Sequence, residues 1–194
     1  MVKWIKDNIV CIVLVLIFIP VYFMMQRYSW VNQRLGTTSI EFLNGEYYRW
    51  GTCMFLHYGY KHILYNSIAL IAVGSLISPY IGKIKTLLIF LAGGILAEVA
   101  FSYVVTYGAP SYGGGSSGGI FALIAAFICC YLRAGKSLGI VWYRPDLLIT
   151  LVFMVLANDN LSSFLTHCFG FIAGVLLTTL MIVTGLIGSG GKKK

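Results

Sequence analysis

Charge is the scarcest property of this chain. Of 194 residues only 14 are basic and 6 acidic, far below the quarter or so that a water-soluble domain carries. The six carboxylates are scattered, so the chain has no acidic cluster to hold a divalent metal. Its five cysteines are odd in number and lie mostly in apolar runs, which excludes a disulfide framework. Cys129 and Cys130 are adjacent and point to different helix faces, so they fit no metal-ligand spacing and read as buried free thiols. No internal repeat is apparent.

What the chain has in quantity is apolar sequence. Hydrophobic residues make up 59% of it, and the mean hydropathy is +0.86. A bilayer crossing takes about 20 mostly apolar residues, and several such runs are visible. The expectation is an all-α polytopic membrane protein with a single six-helix membrane domain over residues 1–188. Its spans fall near 9–25, 60–78, 84–105, 116–132, 147–157 and 161–187, the second stopping at Pro79. Residues 189–194 form a flexible basic tail. The first run follows a basic start like that of a signal peptide, but it is too long and lacks a small-residue cleavage site, so it reads as a retained span.

The net charge of +8 suggests nucleic acid only until the charges are located. They lie at span ends. With six spans, Lys3, Lys6, Lys83, Lys85, Arg133, Lys136, Arg144 and Lys192 to Lys194 share one side, 10 of the 14 basic residues. That predicts cytoplasmic N- and C-termini, a lipid bilayer rather than nucleic acid as the partner, and a glycine-serine stretch, PSYGGGSSGGIFA, opening on the other side.

Polar groups inside spans are costly and therefore informative. Here they are His57, His62, Asn66, Glu98, Ser117 and His167. All three histidines fall at or inside a span on the same outer half. Two of them are five residues apart with no carboxylates nearby, which suits metal ligation poorly. Ser117 sits between glycines at the start of span four, where unsatisfied backbone N–H groups favour a developing anion. His167 precedes Gly170 and Gly174 by three and seven residues, a small-residue stripe that permits close helix approach. Gly118, Ala122 and Ala125 offer a matching face. If the faces pack, Ser117 and His167 come within reach as nucleophile and base, with Phe121 one turn below Ser117 against the imidazole. Taken singly, each feature also suits ordinary packing: G-x-x-x-G as a helix contact, the serine as a loop residue, and His62 with Asn66, four apart on one face, as a polar interhelical clamp. Depth favours a site. Ser117 lies 16 residues before Arg133, about 24 Å of helix, against a hydrocarbon core of about 30 Å.

From Glu46 to Gly174 the chain resembles the rhomboid family of intramembrane serine proteases, in its bacterial-type six-span form. The motifs stand in family order: E-x-x-R (Glu46, Arg49), H-x-x-x-x-H-x-x-x-N (His57, His62, Asn66), G-x-S-G (Gly115, Ser117, Gly118) and H-x-x-G-x-x-x-G (His167, Gly170, Gly174). The resemblance implies a six-transmembrane-helix rhomboid-like bundle in a bacterial plasma membrane. It implies a catalytic dyad of Ser117 and His167 with no third member, cleaving transmembrane protein substrates without metal or cofactor. His62, Asn66 and the backbone N–H of Ser117 would hold the oxyanion. His57 would lie near the water supply, Arg49 would tether the first loop, and span five would act as a lateral gate. Ser116 fails the family frame because Ser117, not glycine, follows it. Substrates would carry a small residue before the scissile bond. Three departures stand out: Tyr48 replaces the usual tryptophan before Arg49, Ser78-Pro79 follows Gly74 in place of a glutamate, and Glu98 matches no motif and reads as structural. A non-catalytic, client-binding relative and a small transporter are the alternative classes.

Overall fold

The computed structural model describes residues 2–105, 111–135, 143–158 and 160–188. The tail 189–194, Lys136, Pro110 and Asp159 lie outside the described residues. Nine α-helices occur among the described residues: α1 Val2–Arg27, α2 Ser29–Leu35, α3 Ile40–Leu43, α4 Arg49–Thr52, α5 Tyr60–Ile81, α6 Lys83–Val104, α7 Ser117–Ala134, α8 Pro145–Leu156 and α9 Leu161–Val183. Of these, α1, α5, α6, α7 and α9 are long and apolar enough to cross a membrane, and α8 is a shorter apolar helix. The chain is thus an all-α polytopic membrane protein, with α2, α3, α4 and a 3₁₀ turn, Cys53–Phe55, forming a surface segment between the first two long helices.

The helix bounds differ most from the sequence expectation at three ends, one of them the start of α1, which begins at Val2 rather than near residue 9. Helix α5 runs through Pro79 to Ile81, because a proline in the last turn forfeits only one backbone bond. Helix α9 ends at Val183, four residues before the expected 187, and Gly185 follows with φ of +76°. A glycine in that conformation turns the chain off the helix axis.

Helix α7 is the most enclosed of the long helices. It is held between α6 and α9 by small residues that let backbones touch. A Cβ at Gly93 would come within 2.3 Å of the Ala122 Cβ, and one at Gly119 within 2.6 Å of the Phe90 carbonyl oxygen. On the other side, a Cβ at Gly170 would lie 2.2 Å from the Gly118 carbonyl oxygen, and one at Gly174 would lie 2.3 Å from that of Ala122. In lipid, association rests on such packing because the tails are as apolar as the helices. Helix α1 packs on α5, where Trp4 Nε1 donates to Ser75 Oγ at 3.0 Å and the Ser78 hydroxyl donates to the Asp7 carbonyl. Helix α8 sits at the periphery against α5, with Leu148, Leu151, Val152, Val155 and Leu156 exposed.

Candidate active site

The glycines before α7 run against the surface segment. Gly113 and Thr37 exchange two backbone hydrogen bonds of 2.9 and 2.8 Å, and Gly115 N–H donates to the Cys53 carbonyl at 3.0 Å. A Cβ at Gly114 would lie 2.4 Å from that carbonyl oxygen, so only glycine lets the two backbones approach this closely. This seat delivers Ser117 as the first residue of α7, where its N–H has no intrahelical partner.

The two serines have different surroundings. Ser116 is fully buried, and its Oγ lies 3.1 Å from His57 Nε2. Ser117 is half-buried and lines a cavity of about 970 Å³ together with His62, Asn66, Glu98 and His167. Of the pair, only Ser117 lines this cavity.

Gly115 lies between His62 and Ser117. A Cβ there would sit 2.9 Å from His62 Nε2 and 3.8 Å from Ser117 Oγ, so the missing side chain leaves a gap bordered by both. The Tyr58 backbone N–H donates to His62 Nδ1 at 3.3 Å. Since Nδ1 accepts, the neutral ring carries its proton on Nε2, the atom that faces the gap. Asn66 Nδ2 donates one hydrogen to the His62 carbonyl at 2.9 Å, and an amide nitrogen has a second to offer.

His167 is buried on α9, and its ring lies flat on that of Phe121, with 4.3 Å between centroids and 6° between planes. Phe121 is four residues after Ser117, so both side chains lie on one face of α7. His167 stands one turn before Gly170, whose backbone touches Gly118. Helix register therefore turns Ser117 and His167 toward a common volume, the cavity both line. Nδ1 of His167 lies 2.8 Å from Asn158 Oδ1. Sequence reasoning missed Asn158, which lies between the fifth and sixth expected spans. No spacing rule links a loop residue to a histidine nine positions later.

Arg49 is 4% exposed and ion-paired with Glu46. Its Nη1 donates to the carbonyls of Gln33 at 2.6 Å and Gly36 at 3.0 Å, and its guanidinium lies 5.5 Å from the Tyr112 ring centroid. It therefore joins the end of α2 to Tyr112, the residue before the glycine run. The bonds from Arg49 hold the Glu46 carboxyl below its usual range. His57 packs against Phe18 and His62, with ring centroids 4.8 and 5.1 Å away, and burial together with nearby His62 pushes its pKa down to about 3. Glu98 is buried at the cavity wall. Among the described residues, no three His, Cys, Asp or Glu side chains gather as a metal site.

A model of the rhomboid domain matches residues 44–184. The chain belongs to the rhomboid family. It is 30% identical to the rhomboid protein YdcA of Bacillus subtilis (strain 168) over 143 residues, covering 72% of this chain and 69% of that one. It is 37% identical to the rhomboid protease GluP of the same organism over 92 residues, covering 47% of this chain and 17% of GluP. RHOMBOID-like protein 2 of Arabidopsis thaliana is 28% identical over 137 residues, covering 68% of this chain and 41% of that one. The chain thus spans less than half the length of GluP and of the plant relative. The rhomboid match contains every motif residue from Glu46 to Gly174, and α1 precedes it.

Proposed function

We propose that this chain is an intramembrane serine endopeptidase that hydrolyses peptide bonds in or near transmembrane segments of other membrane proteins. The observation that carries the reading is the sharing of one cavity by Ser117 and His167, with the imidazole fixed on Phe121 one helical turn from the serine. Names given to the bacterial relatives support a protease of this family.

In this reading Ser117 Oγ attacks the scissile carbonyl while His167 Nε2 takes the hydroxyl proton. The oxygen of the tetrahedral intermediate accepts hydrogen bonds from His62 Nε2–H, the Asn66 amide and the Ser117 backbone N–H. Protonated His167 then donates to the leaving amine, and water repeats the sequence to free the acyl group. Water and an extended peptide both fit a cavity of about 970 Å³ whose wall includes Thr37, Tyr58 and Asn66. A substrate helix must unwind locally, because its backbone amides are otherwise bonded internally and shielded. The basic residues at span ends support cytoplasmic termini and a site facing the opposite side.

The test is labelling of the detergent-solubilised protein by a fluorophosphonate, in which Ser117 Oγ forms a P–O bond as fluoride leaves. Wild type and Ser116→Ala label, whereas Ser117→Ala and His167→Ala do not. A folded wild type that resists a broad set of serine-directed probes leaves a client-binding protein without catalysis as the better reading.

A further inference from the structure

The amide of Asn158 is held at both ends. Its Nδ2 donates to the Met154 carbonyl at 2.8 Å, one turn back on α8, and its Oδ1 lies 2.8 Å from His167 Nδ1. The first bond decides which way the amide faces, since a carbonyl oxygen in the place of Nδ2 would meet another oxygen. Oδ1 therefore faces the imidazole, and a carbonyl oxygen only accepts. Nδ1 must carry the proton, which leaves the lone pair of a neutral ring on Nε2. That is the tautomer a base needs if it is to take a proton from Ser117.

We propose that Asn158 is a positioning residue that fixes the tautomer of His167 and selects one of the two flipped orientations of its ring. The proposal rests on the protease reading and adds a third member to it, where the family resemblance implies a dyad alone. Stacking on Phe121 fixes the plane of the ring but not which way round it lies, because a 180° turn about the Cβ–Cγ bond exchanges Nδ1 with Cδ2 and keeps the same stacked plane. The bond from Nδ1 to Asn158 removes that freedom. Both restraints trace back to α8: Asn158 follows its last turn, and Phe153 on the same helix packs on Phe121 with ring centroids 5.7 Å apart. The side chain is exposed enough for substitution without a core defect.

Two readouts test this. In protein labelled with ¹⁵N-histidine, the His167 resonances, assigned by their loss in His167→Ala, report the Nδ1–H tautomer in wild type. In Asn158→Ala that form no longer dominates. Fluorophosphonate labelling of Asn158→Ala slows about tenfold to a hundredfold, by analogy with the hydrogen-bond partners that orient metal-bound histidines, while the unfolding temperature stays near that of wild type. In Asn158→Asp a carboxylate faces Nδ1–H and favours the charged ring, so the acid limb of the labelling curve moves to higher pH. An Nδ1–H tautomer that persists in Asn158→Ala, or equal labelling rates and pH profiles for wild type and Asn158→Ala, overturns the proposal. If wild type itself does not label, the protease reading fails, and the tautomer measurement still decides whether Asn158 holds the ring.

Discussion

The imidazole of His167 lies parallel to the ring of Phe121 at a centroid distance of 4.3 Å, so a residue on α7 sets the plane of a residue on α9. Stacked aromatic pairs contribute about 0.5–1.5 kcal/mol beyond the area they bury. If that energy holds the base in its working orientation, Phe121→Ala slows fluorophosphonate labelling by about twofold to twelvefold. The cavity it leaves also lowers stability, by about 3 kcal/mol. Phe121→Tyr keeps a ring face and retains most of both. A Tyr variant as slow as the Ala variant, at wild-type stability, would remove stacking from the account.

The contact between α7 and α9 makes a second prediction. At Gly170 any side chain meets the Gly118 carbonyl oxygen at 2.2 Å, and backbone cannot swing aside as a flexible side chain can. Gly170→Ala therefore pushes the helices apart, costs about 1–3 kcal/mol as overpacking does, and slows labelling although every polar site residue is intact. Gly51→Ala is the control, because a Cβ there meets only Ile95 Cδ1 at 3.9 Å. Equal unfolding temperatures and labelling rates in the two variants would show that the close approach is not required.

This contact was legible before the structure because two short-range signals agreed. Gly170 and Gly174 repeat at helical spacing after His167, and Gly118 and Ala122 repeat likewise after Ser117, so the seam and its polar ends can be read together. The seat of Gly114 on Cys53 was not legible, since nothing local pairs residue 114 with residue 53. Asn158 escaped for the same reason: its partner lies on the next helix, and asparagine in a turn needs no further explanation. Ser116 shows the opposite case. The motif frame sets it aside without saying where it goes, and the structure buries it against His57.

Arg49 supplies the third prediction. Two backbone carbonyls and the Glu46 carboxylate take its donors in a nearly buried position. Arg49→Met fills similar volume but leaves those carbonyls unpaired, at about 1–3 kcal/mol each for buried groups. The unfolding temperature falls, and labelling slows because Tyr112 and the glycine run after it lose their anchor. Glu46→Gln keeps the arginine bonded to both carbonyls and has the smaller effect. The reverse order of the two variants would move the anchor from the carbonyls to the ion pair.

The fourth prediction concerns acid stability. His57 is fully buried against Ser116, Phe18 and His62, and its pKa is pushed down to about 3, burial being the larger cause. An unfolded chain takes up this proton below about pH 6.5. Between those values the unfolded state binds more protons than the folded one, so stability rises with pH across the window. The contribution is complete above about pH 6.5 and is lost as the solution is acidified toward pH 3, with a slope of at most about 1.4 kcal/mol per unit. Glu46 acts with the same sign at lower pH, since its stabilising charge disappears as the carboxyl is protonated. His57→Gln keeps a polar partner for Ser116 without the titration, and it leaves His62, His167 and Glu46 in place. Unfolding temperatures measured at pH 7.5, 6 and 5 therefore fall more steeply for wild type than for the variant. Parallel curves would mean that His57 is not held neutral by the fold.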